Sequence, residues 1–133
     1  MTANALKAED FRVSLTVNDL AKSLRFYGEG LGFAIVEKFE MNGKVMGAMI
    51  EAGDAKLGIS QDDFSKGKDR AKGIGMGLVV ETTQDLDALA KRARDTGIAP
   101  DAKIAPLPWG PKALIVTDPD GFKLTIAEPR PGK

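Results

Sequence analysis

The sequence predicts an α+β fold of two tandem β-α-β-β-β modules, and three observations carry that expectation. The run Lys56-Leu57-Gly58-Ile59 returns as Lys123-Leu124-Thr125-Ile126 at a constant offset of 67, each copy following a turn. The later turn, Asp118-Pro119-Asp120-Gly121, combines a proline that presets φ with an Asp-Gly pair that tolerates positive φ. Two stretches have helical spacing, Leu20, Leu24, Tyr27, Leu31 and Leu86, Leu89, Ala90, Ala93, and each follows an aspartate suited to an N-cap. Most of what lies between them alternates apolar and polar residues, the period of a half-buried strand.

Taken in order, residues 1–10 lack periodicity and read as a loose arm. In Phe11 to Val17, Val13, Leu15 and Val17 alternate with Arg12, Ser14 and Thr16, which predicts the first strand. Asn18-Asp19 caps a helix over 19–30 that Gly30 and Gly32 end. Phe33 to Glu40 and Lys44 to Glu51 read as a hairpin around Asn42-Gly43, and Gly53-Asp54 turns the chain into Ala55 to Ser60. From Gln61 to Gly73 the pattern breaks. Lys66, Lys68, Arg70 and Lys72 are largely neutralised there by Asp62, Asp63 and Asp69, so a solvated linker is expected rather than an anion-binding loop. The pattern restarts with a strand over Ile74 to Glu81 and a helix over 84–96 that stops at Gly97. A weak, proline-bounded strand over Ala102 to Leu107, the turn Pro108-Trp109-Gly110-Pro111 and the strand Lys112 to Thr117 lead into the final hairpin. Val17 aligns with Val80, Asp19-Leu20 with Asp85-Leu86 and Gly32 with Gly97, so the offset between halves drifts from 63 to 66, absorbed by an insertion at Thr82-Thr83. The expected organisation is one structural domain: an arm over 1–10, modules over 11–60 and 74–128, a linker over 61–73 and a tail over 129–133. Neither module closes a core alone, so the two must pack together.

Composition narrows the function. Nineteen basic and nineteen acidic residues cancel, which disfavours a nucleic-acid or anionic-membrane partner. No apolar run approaches a membrane span and the first ten residues lack the features of a signal peptide, so a cytoplasmic protein is expected. There is no cysteine and no histidine. Thiolate sites, Ser-His pairs and Cys-His pairs are therefore impossible, and the commonest general base is missing. Glu37, Glu40, Glu51 and Glu81 are scattered at strand ends, with no visible acid-base pair. No catalytic residue is assigned.

The combination Val17-Asn18-Asp19-Leu20, Phe26-Tyr27, Leu31-Gly32-Phe33 and Asp118-Pro119-Asp120-Gly121, set in tandem modules over 11–128, resembles the vicinal oxygen chelate superfamily. That group includes glyoxalase I, bleomycin-resistance proteins, fosfomycin-resistance enzymes and extradiol dioxygenases. The resemblance implies a curled mixed sheet forming a cup, commonly in homodimers whose cup borrows from a second chain. Metal enzymes of the group carry His, Glu or Gln at points that fall here on Arg12, Gly58, Gly75 (or Met76) and Thr125. None of these is an ordinary ligand for a divalent ion. The sequence thus resembles the bleomycin-resistance branch more than the metal enzymes. The implied function is metal-independent binding of a small molecule, for drug or metabolite sequestration, without cofactor or metal. The alternative is a lyase, isomerase or dioxygenase of the same fold with shifted or absent ligands.

Strand parity places Arg12, Ser14, Gly58, Ser60, Gly75 and Thr125 toward the cup, and these with Trp109 are the candidate ligand-binding residues. Arg12 either anchors an anionic group through its donor fork or forms an internal salt bridge. Gly58 and Gly75 either leave room for a ligand or allow close packing. Trp109, on a proline-bounded turn, either stacks on an aromatic ligand or packs against protein. The expected partner is a small anionic or aromatic molecule.

Overall fold

The computed structural model describes residues 5–130. Its elements are β1 (Val13–Val17), α1 (Leu20–Arg25) continued by a π-helical turn (Phe26–Gly30), β2 (Ala34–Met41), β3 (Lys44–Ala52), β4 (Ala55–Gln61), β5 (Gly77–Glu81), α2 (Leu86–Asp95), β6 (Ala105–Pro106), β7 (Lys112–Thr117) and β8 (Lys123–Ala127). Each half forms its own four-stranded sheet, in the orders β1-β4-β3-β2 and β5-β8-β7-β6. In both, the first strand runs parallel to the fourth and the remaining pairs are antiparallel. The β-α-β-β-β order therefore occurs twice, in an α+β fold.

One face of each sheet supplies the core. Leu15, Val17, Ile50 and Ile59 from the first sheet and Leu114, Val116 and Leu124 from the second are almost wholly buried. They share one cluster with Leu20, Phe26 and Tyr27 of the first helix and Leu86 and Ala90 of α2. Burying such a side chain is worth about 1.5–3 kcal/mol each, and both halves contribute to the one cluster.

Both helices start as the sequence predicts, with Asp19 accepting from the Lys22 N–H and Asp85 from the Asp87 N–H. Their ends differ by one residue. Ile98 N–H donates to the Ala93 carbonyl five residues back, a Schellman closure, whereas Phe33 N–H reaches Tyr27 six residues back. Gly32 and Gly97, at φ 94° and 91°, are matching C-terminal residues, so the first helix holds one extra residue and accommodates it as the π turn. Tyr27 and Ala93 are then structural equivalents.

Three sequence expectations are corrected. Leu15 pairs with Ile59 as Val80 pairs with Ile126, so β1 and β5 align at an offset of 65 and Val17 is not the partner of Val80. A slip of two residues keeps the same face inward, which is why the pattern concealed it. The strand expected from Ile74 begins only at Gly77, because Gly73 and Gly75, at φ 72° and 71°, cannot join a strand. The strand expected over Ala102 to Leu107 shrinks to Ala105–Pro106 at the sheet edge, where a missing proline N–H is tolerated.

Gln61, expected to open the linker, closes β4 instead. Its side chain accepts from the Leu20 N–H at 2.9 Å and donates to the Asn18 carbonyl at 2.7 Å, satisfying a donor at the start of α1. Of the arm and tail, residues 1–4 and 131–133 lie outside the described residues. Asp10 pairs with Arg12 and Lys56, and Arg130 with Glu81.

Candidate functional site

The sheet faces turned away from the core carry most of the candidate residues. Ser14 stands beside Gly58 across β1 and β4, and Thr16 beside Ser60. A side-chain carbon at Gly58 would meet the Met49 sulfur at 3.4 Å and Ser14 Oγ at 3.6 Å, so the space over this glycine is already lined by protein. Thr125 lies on the other sheet, between Val79 of β5 and Ile115 of β7. Gly75 sits in the turn ahead of β5, and in strand register the residue matching Arg12 is Gly77, two positions further on.

Arg12 precedes β1, half-exposed, with Nε on Asp10 Oδ2 at 3.0 Å, and Lys56 Nζ meets the other Asp10 oxygen at 2.9 Å. The two cations thus converge on one carboxylate, and their hydrogen bonds, Lys56 first, hold Asp10 down to about 2. Trp109 is 60% exposed on its loop and joins none of the others. The structure therefore brings Ser14, Gly58 and Ser60 together, with Arg12 near their strand end, and leaves Thr125, Gly75 and Trp109 apart.

A divalent ion does not fit this residue set. Arg12 is a permanent cation, Gly58, Gly75 and Gly77 have no side-chain donor, and Thr125 offers a single neutral oxygen.

The two modules are joined by a polar network that the sequence reading missed. The Tyr27 hydroxyl donates to Asp118 Oδ2 at 2.6 Å, and Asp118 Oδ1 accepts from the backbone N–H groups of Asp120 and Phe122. Asp120 in turn accepts from the Asn18 N–H at 2.9 Å and from Ser23 Oγ at 3.5 Å. The turn that reads as a local hairpin is thus docked on the start of the first helix. Burial raises the carboxyl of Asp118 above its usual range, against its hydrogen bonds, and burial with the Asp118 partner raises the Tyr27 phenol. The signal available was that Tyr27 is the single tyrosine and lies on the buried helical stripe.

The linker is fastened as well. Lys72 Nζ reaches Asp62 Oδ2 at 2.8 Å and Asn18 Oδ1 at 2.7 Å, and Arg70 adds a 3.1 Å contact to Asp62. Lys72 and the backbone N–H of Phe64 hold the Asp62 carboxyl down to about 2. Two of the four linker cations are therefore structural clasps.

Between the modules, on the opposite side from the docked turn, lies a cavity of about 1080 Å³. The end of the first helix, the β3–β4 turn, the ends of β5 and β8, one side of α2 and Trp109 line it, and it is open to solvent. A smaller cavity of about 350 Å³ lies between the first helix and the chain after α2. Neither contains Arg12, Ser14, Gly58, Ser60, Gly75 or Thr125.

Comparison with known proteins places this architecture. A family model described as "Glyoxalase/Bleomycin resistance protein/Dioxygenase superfamily" matches residues 11–126. Among solved structures, TioX from Micromonospora sp. ML1 is similar at a TM-score of 0.72 and 17% identity, over 91% of this chain and 98% of that one. TnmS3, an antibiotic binding protein from Streptomyces sp. CB03234, matches at 0.70 and 24% identity, over 95% and 99%. A glyoxalase/bleomycin resistance protein/dioxygenase from Nocardioides matches at 0.68 and 19%, over 98% and 89%. No curated protein matches by sequence.

Proposed function

The chain belongs to the glyoxalase/bleomycin resistance protein/dioxygenase superfamily, and from that membership we propose that it is a metal-independent small-molecule-binding protein that sequesters a drug or metabolite. The observation that carries the reading is the residue set at the family's metal points: Arg12, Gly58, Gly75 or its register equivalent Gly77, and Thr125. In this reading the Arg12 guanidinium takes the role that a bound cation has in the metal-dependent members. The antibiotic-binding character of TnmS3 supports the same direction.

The ligand is an anionic or aromatic small molecule, met by Arg12 with Ser14, Gly58 and Ser60. Asp10 shows how a carboxylate sits between Arg12 and Lys56. That pairing is exposed and screened by solvent, so a better-placed ligand carboxylate displaces it.

The protein works as a homodimer in the cytoplasm. Val79 on the outward face of the second sheet and Phe39 on that of the first are 64% and 47% exposed, apolar surface suited to cover by a second copy.

A thermal-shift screen of small acids, aromatic acids and glycopeptide drugs tests the assignment, repeated on Arg12→Ala and Arg12→Lys. Loss of the charge-assisted bond weakens binding roughly ten- to hundredfold in Arg12→Ala, with partial recovery in Arg12→Lys. Hits that bind Arg12→Ala as tightly as the parent remove the anchoring role.

A further inference from the structure

The inter-module cavity lies at a break in the chain's internal symmetry. On one side of the module interface, the five-residue turn 118–122 reaches the first helix and is locked by Tyr27, Ser23 and Asn18. The corresponding β3–β4 turn has two residues, Gly53 and Asp54, and the position on α2 that matches Tyr27 is Ala93. The residue matching Ser23 is Leu89, which has no hydroxyl to receive a turn. The short turn, with Leu89 and Arg92 of α2, lines the cavity and does not fill it.

We propose that this cleft is a ligand-binding site separate from the Arg12 end of the first sheet, taking a flat, largely apolar molecule that carries a protonated amine. The volume is at the upper end for sites that enclose a drug-sized molecule. Leu31, Leu89, Leu124 and Ile126 supply apolar wall, and Trp109 presents an exposed indole at the margin. The wall holds three carboxylates and two guanidiniums. The two guanidiniums differ: Arg92 donates from Nε and Nη2 to the neutral carbonyls of Glu29 and Gly28, capping the first helix and keeping its charge, while Arg130 pairs with Glu81. Asp54 makes no hydrogen bond or ion pair among the described residues, and Glu128 uses one oxygen on the Lys112 N–H and keeps the other. With Arg130 paired to Glu81, two carboxylates and the single Arg92 charge remain beside an aromatic face, a net acceptor environment that favours a cation.

Trp109 is the single tryptophan and reports on the site directly. Its emission, excited at long wavelength, is followed during titration with 4-phenylbenzylamine, biphenyl-4-carboxylate and 4-phenylbenzyl alcohol, which share one flat body and differ in charge. The expected result is a saturable change with the amine binding about tenfold tighter than the alcohol and tighter still than the carboxylate. In the exposed-turn variant Asp54→Asn combined with Glu128→Gln, the amine falls to the level of the alcohol, and Leu89→Phe, which fills the cleft, weakens all three. Ser14→Phe, which blocks the outward face of the first sheet, leaves the response unchanged, so this site and the Arg12 site fail independently. No saturable change with any probe, a carboxylate that binds as tightly as the amine, or loss of binding in Ser14→Phe with none in Asp54→Asn/Glu128→Gln overturns the proposal.

Discussion

Replacing Tyr27 by phenylalanine removes one oxygen atom from the centre of the module interface. Tyr27 is fully buried and Asp118 is 4% exposed, so no water replaces the lost donor without rearrangement. Asp118 keeps its two backbone donors on Oδ1, and only Oδ2 is orphaned. A hydrogen bond to a charged acceptor contributes about 1.5–3 kcal/mol, and the surviving bonds set the expectation near 2 kcal/mol. For a chain of this length that is a fall of about 7 °C in Tm. Urea unfolding of the parent, Tyr27→Phe, Asp118→Asn and the double variant gives the coupling directly.

The pH dependence adds a sign. The Tyr27 hydroxyl favours ionised Asp118, so its removal raises the folded-state pKa further above the unfolded value. A raised carboxyl stabilises the folded state below the unfolded pKa and loses that contribution as pH rises through the folded one. The gap between parent and Tyr27→Phe is therefore widest at neutral pH and narrows in acid. A variant within about 0.5 kcal/mol of the parent at pH 7, or additive with Asp118→Asn, refutes the docking role.

Two further outcomes follow from the linker. Gly73→Ala would drive a methyl group into the Gly121 backbone and place a side chain at φ 72°, so a loss of about 3 kcal/mol or more is expected in urea unfolding. Asp62 is held low by Lys72, so it contributes stability above its unfolded pKa and loses it as pH falls from about 4 toward about 2. Asp62→Asn should flatten that acid limb, and an unchanged acid profile would show the clasp to be passive.

The fold was legible because its determinants are local and repeat. Period-two alternation, aspartate N-caps, Asn42-Gly43 and the C-terminal glycines each specify an element, and their recurrence gives two modules. The errors fall where local pattern is silent. A two-residue strand slip preserves parity, so aligning Val17 with Val80 looked as good as aligning Leu15 with it. The extra residue of the π turn alters which carbonyl Phe33 reaches without changing the apolar stripe. The candidate site was legible only in part. Parity grouped Ser14, Gly58 and Ser60, but Tyr27 meets Asp118 across 91 residues, a pairing that no sequence spacing announces. The cavity lies where the repeats differ, with two turn residues against five and Leu89 against Ser23, which a search for similarity passes over.

The claim that binding needs no metal is tested most directly by one calorimetric comparison. A ligand from the screen is titrated into protein stripped with chelator, and again after reloading with nickel, zinc, manganese or iron. The residues at the family's metal points predict the same affinity and stoichiometry in every preparation. Binding that appears only after reloading, with one equivalent of metal retained through desalting, contradicts the account.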